Sequence, residues 1–100
     1  MLHIINNSSG QTPALQSCLL RLTAGSAILL IENGVYAAIK NEINNSILSS
    51  LPNDVSLFVL ESDLDARGIS KNEIDVRFIP TGYDGFVGLV ERYPTVQSWV

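Results

Sequence analysis

Short apolar runs alternate with longer amphipathic stretches along this chain. The runs are Leu2 to Ile5, Ala27 to Ile31, Leu57 to Leu60 and Val76 to Ile79. Each has strand length, and Ala27-Ile28-Leu29-Leu30-Ile31 carries no polar interruption. A strand buried on both faces has this pattern, as in a parallel sheet covered by helices. Between the runs the period changes. Leu15, Cys18, Leu19 and Leu22 fall at i, i+3, i+4 and i+7 after Thr12-Pro13, a start with a capping hydroxyl and a proline suited to the first turn. Ala24-Gly25 ends that helix. Further helices are predicted over Val35 to Lys40, Ile43 to Leu51, Asp63 to Arg67 and Asp84 to Arg92, the last behind a capping box in Thr81-Gly82-Tyr83-Asp84. The order β-α-β-α-β-α-β-α predicts an α/β fold. Its architecture is a three-layer α/β/α open, mainly parallel sheet of about 4–5 strands with Rossmann-like topology.

The chain has 100 residues, read as a single domain over 1–100. Hydrophobic residues make up 46% and charged residues 16%, enough apolar material for a core and a composition unlike that of disordered segments. The net charge of −4, with six scattered Lys and Arg, disfavours direct contact with nucleic acid or an anionic membrane. The opening Met1-Leu2-His3-Ile4-Ile5 lacks the basic start and long apolar run of a secretion signal. One cysteine allows no internal disulfide. The expected compartment is the cytoplasm.

Candidate chemistry is sparse. The turn Asn6-Asn7-Ser8-Ser9-Gly10 has no dinucleotide fingerprint or phosphate loop, so no cofactor is expected. One His and one Cys do not make a closed zinc site, so no metal is expected. Cys18 is the one candidate thiol nucleophile. It is a reactive thiol if exposed near a cation such as Arg21, and an inert small hydrophobe if buried with Leu15, Leu19 and Leu22. His3, inside a strand, has the pattern of a hydrogen-bonded structural residue. Asn33-Gly34 follows the carboxyl end of the second strand, where α/β proteins gather ligands, but the favoured reading is a strand-to-helix turn, because Gly and Asn tolerate unusual φ there. Asp63, Asp65 and Arg67 form a solvated helix face or part of a partner contact. Tyr83, Phe86, Val87, Leu89, Val90, Tyr93 and Trp99 make an apolar C-terminal fifth, richer than one core hides, so the chain is expected to dock onto partners.

Six ordered segments carry a family resemblance: Met1-Leu2-His3-Ile4-Ile5-Asn6, Ala14-Leu15-Gln16-Ser17-Cys18-Leu19, Leu29-Leu30-Ile31-Glu32-Asn33-Gly34-Val35-Tyr36-Ala37-Ala38, Val59-Leu60-Glu61-Ser62-Asp63-Leu64-Asp65-Ala66-Arg67-Gly68, Tyr83-Asp84-Gly85-Phe86-Val87 and Val96-Gln97-Ser98-Trp99. Together they span nearly the whole chain and resemble the DsrH/TusB family of sulfur-relay subunits. The resemblance implies a DsrEFH-like fold and a heterohexamer with two paralogous subunits, DsrE/DsrF-like or TusD/TusC-like, two copies of each. It also implies further sulfur-carrier proteins as partners. The complex would relay persulfide sulfur toward 2-thiouridine at the tRNA wobble position or, in the DsrH branch, serve sulfur trafficking. In both branches the main persulfide-carrying cysteine belongs to a larger subunit. Cys18 matches a cysteine of DsrH-type members that TusB-type members often lack. Gly82-Tyr83 departs from the family's frequent Asp-Tyr. The chain is therefore expected to be an accessory subunit of a sulfurtransferase complex, the alternative being a stand-alone sulfurtransferase with Cys18 as carrier.

Overall fold

A computed structural model of the chain describes residues 1–7, 18 and 22–99. Five strands form one sheet: β1 (Leu2–Ile5), β2 (Ala27–Leu30), β3 (Ser56–Leu60), β4 (Phe78–Thr81) and β5 (Val96–Trp99). Their spatial order is β4-β3-β2-β1-β5, and all four pairings are parallel. The register sets Leu2 beside Ala27 and Val96, and Ile28 beside Leu57. The α/β fold and parallel sheet expected from the apolar runs are thus present.

Strand alternation divides the core in two. On one face Ile5, Ile28, Leu30, Leu57, Val59 and Phe78 meet Cys18, the 3₁₀ segment Glu32–Ala38, helix α1 (Glu42–Ser49) through Leu48, and helix α2 (Glu61–Ala66) through Leu64. On the other face Leu2, Ala27 and Leu29 pack against Leu89 of helix α3 (Tyr83–Arg92), with Phe58, Phe86 and Tyr93 at the margins. β2 is buried at all four positions, as its unbroken apolar run requires. The connections from β2 to β3 and from β3 to β4 therefore lie on the first face, with Cys18 and Leu22, and the return from β4 to β5 crosses the second.

Several local expectations shift. The helix predicted over Val35 to Lys40 is a 3₁₀ segment beginning at Glu32. β4 starts at Phe78 rather than Val76. Asp75 turns the chain there: its Oδ1 accepts from the Arg77 amide and its carbonyl from the Phe78 amide, leaving Val76 89% exposed. The capping box expected before α3 is absent, because Gly82 is the cap residue and has no side chain to offer. Such a box occurs instead at Ser70–Glu73. At α1, Asn41 Oδ1 accepts from the Asn44 amide at 2.7 Å, which explains how an Asn- and Ser-rich stretch begins a helix. The helix expected from Thr12 lies outside the described residues except at Cys18, which is helical, and at Leu22 beyond it.

Candidate functional site

Cys18 points into the first core layer and is fully buried. Its apolar surroundings disfavour the thiolate and push the thiol up to about 12 from an ordinary 9.0. A thiol with that environment is a poor nucleophile at neutral pH.

His3 lies on the same face of β1 as Ile5 and is also fully buried. Trp99 Nε1–H donates to His3 Nδ1 at 3.1 Å, and the two rings stack with centroids 6.2 Å apart. An indole nitrogen only donates, so Nδ1 is bare and the imidazole proton sits on Nε2. That nitrogen has no hydrogen-bond partner among the described residues. Burial first, and the N-terminal charge second, hold the His3 pKa below 6.5. The folded chain thus keeps His3 neutral, whereas the unfolded chain protonates it as pH falls through 6.5. Its contribution to stability is complete above about pH 6.5 and is lost as pH falls below it. The urea midpoint should therefore be lower at pH 5.5 than at pH 7.5, and His3→Leu should remove that difference. An equal fall in the variant would assign the effect to another group.

The carboxyl edge of the sheet holds the residues that the sequence singled out after β2 and β3. The Glu32 amide donates to Asp63 Oδ2 at 2.7 Å, and Arg67 Nε donates to Asn33 Oδ1 at 3.0 Å. Arg67 Nη1 also lies 3.7 Å from Asp63 Oδ1. Asp63 and Arg67 thus fasten the β2 loop to α2, while Asp65 remains exposed and has no part in this network. The unusual φ expected at Asn33-Gly34 falls at Glu32 instead (φ 49°). Gly34 serves close approach: a Cβ there would lie 2.2 Å from the Ile5 carbonyl oxygen.

Cys18 does not line any of the following three grooves on the described surface. The first, about 290 Å³, runs beside Leu48, Leu51, Pro52, Val55 and Leu57 with Arg77 at its rim. Arg77 is already engaged by Asp75 in a two-pronged contact at 2.8 and 2.9 Å and by Asn45 at 2.6 Å, an arrangement that the sequence did not signal. The second groove lies between Lys40, Glu42 and Asp75. The third, about 200 Å³, runs along α3 beside Tyr83, Phe86, Val87 and Val90. Among the described residues no group of three or more His, Cys, Asp or Glu side chains is placed to hold a metal ion, and no helix is long and apolar enough to cross a membrane.

The apolar C-terminal fifth divides. Leu89 is buried, Phe86, Tyr93 and Trp99 are half-buried, and Tyr83, Val87 and Val90 are exposed.

Known proteins match this chain along its length. The family model for DsrH like protein matches residues 7–96. Protein TusB of Enterobacter sp. (strain 638) is 34% identical over 99 residues, covering 99% of this chain and all of the relative. Protein TusB of Yersinia enterocolitica is 40% identical over 84 residues, 83% of this chain and 85% of the relative. The ychN protein from E. coli shares the fold, with a TM-score of 0.73 at 14% identity over 98% of this chain and 97% of its own. The resemblance read from the six segments holds at full length, and the chain belongs to the DsrH/TusB family.

Proposed function

We propose that this chain is an accessory subunit of a cytoplasmic sulfur-relay complex. Persulfide sulfur passes through its partners toward 2-thiouridine at the tRNA wobble position. Two paralogous DsrE/DsrF-like subunits complete a heterohexamer holding two copies of each. The carrying observation is that a chain matching TusB proteins end to end keeps its sole cysteine fully buried. Burial of Cys18 supports sulfur travelling on a partner's thiol and weighs against a stand-alone sulfurtransferase. The net charge of −4 supports an indirect relation to RNA, through a partner.

The test has two parts. The tagged chain, isolated from its own cell, should bring down both sister subunits in equal amounts. Deleting its gene should reduce wobble 2-thiouridine in digested tRNA to background, and Cys18→Ser should restore it. Normal thiolation with impaired sulfur oxidation would move the chain to the DsrH-type trafficking role. Failure of Cys18→Ser to restore thiolation, with a stable complex, would make Cys18 a carrier.

A further inference from the structure

We propose that the exposed flank of α3 seats a sister subunit whose contact surface is apolar and rimmed by lysine or arginine; this rests on the relay-subunit role proposed above. A helix covering a sheet needs one apolar stripe. α3 has two. Phe86, Leu89 and Tyr93 occupy the side against the sheet. Tyr83, Val87 and Val90 follow at i, i+4 and i+7, about a quarter turn away at 100° per residue. Their exposures are 72%, 43% and 42%, so this second stripe is not used by the fold. Tyr83 meets Phe86 edge-on with centroids 6.0 Å apart, and the groove beside them has room for an inserted side chain.

Charge chooses the occupant. Among the described residues Glu91 is the only charged one lining the groove. Asp84 lies two turns back on the same exposed side. Arg92 projects elsewhere, its guanidinium carbon 5.9 Å from the Tyr93 ring centroid. Two copies of this chain meeting here would set carboxylate against carboxylate. In an antiparallel pair Asp84 approaches the partner copy's Glu91; in a parallel pair each meets its own counterpart. The chain's net charge of −4 adds to the penalty. The same carboxylates repel an anionic lipid surface or RNA. A protein surface with an apolar centre and a cationic rim satisfies both the stripe and the carboxylates.

The experiment co-expresses the chain with its two sister subunits and measures affinity by biolayer interferometry across a salt series. Val87→Asp should weaken binding by about 30-fold or more, as burying an unpaired charge at an interface centre does. Glu91→Lys should weaken it about tenfold at low salt and reverse its response, so that added salt strengthens binding where it weakens the wild type. Asp65→Lys, the same charge change on the other face, should leave affinity unchanged. Each variant should keep the thermal midpoint of the lone wild-type chain, because all three sites are exposed. The proposal is overturned if the sisters bind Val87→Asp as tightly as wild type, if Asp65→Lys matches Glu91→Lys, or if the lone chain sediments as a dimer that Val87→Asp dissociates. In those cases a wild-type complex still leaves the relay role standing. A wild-type chain that binds neither sister overturns both.

Discussion

Iodoacetamide should label Cys18 about a thousand-fold more slowly in the folded chain than in urea at pH 7.5. The thiol is pushed from 9.0 up to about 12, three pH units, and each unit lowers the thiolate fraction about tenfold. Full burial adds a steric block, so labelling should proceed only through opening of the fold. The rate should therefore rise with urea in step with unfolding, and a small-molecule persulfide donor should show the same order. This measurement bears directly on function. A folded chain labelled as fast as the unfolded one would mean that Cys18 is available, and the stand-alone sulfurtransferase would return. The contrast is chemical rather than geometric alone: desolvation by burial raises the Cys18 thiol and so withholds the thiolate.

Replacing Gly34 by Ala should cost about 3 kcal/mol or more of unfolding free energy, the upper range for overpacking against a rigid neighbour. The added carbon would lie 2.2 Å from the Ile5 carbonyl oxygen and 2.9 Å from its carbonyl carbon. Neither atom belongs to a flexible side chain. The Ile5 oxygen also accepts from the Ile31 amide at 2.9 Å, so displacing it loosens the junction of β1 with the segment leaving β2. Gly88→Ala makes the opposite comparison. Nothing lies within 4 Å of the new carbon there, and the site is inside α3, so alanine should stabilise the chain by up to about 1 kcal/mol. Urea titration of both variants checks the pair. A Gly34→Ala chain within 1 kcal/mol of wild type would show that the loop yields easily.

Much of the layer structure was legible in order and period. The four apolar runs are strands, and the run with no polar interruption is the strand buried on both faces. Boundaries were less legible where a side chain competes for the backbone. Asp75 delays β4, and Asn41 begins α1 where the Asn and Ser content argues against a helix. The fifth strand was hidden in the apolar C-terminal segment, because four residues have no decisive period and β5 exists by pairing with β1. His3 and Trp99 are 96 positions apart, and no local pattern joins them. The exposed stripe on α3 was half legible. Helical spacing separates Tyr83, Val87 and Val90 from Phe86 and Leu89, but spacing does not say which stripe meets the sheet.

Residue order by itself determined an alternating α/β chain with a parallel sheet, an acidic surface, a shortage of reactive groups and membership of one family. These properties depend on local periodicity, composition and ordered similarity, which a linear string carries. Tertiary structure alone decided that Cys18 is sealed in the core, that Gly34 must lack a side chain, that His3 is held neutral beside Trp99, and that one flank of α3 remains uncovered. Each of these depends on which distant surfaces come together. Desolvation and steric exclusion act across space, where neighbours in the fold are strangers in the sequence.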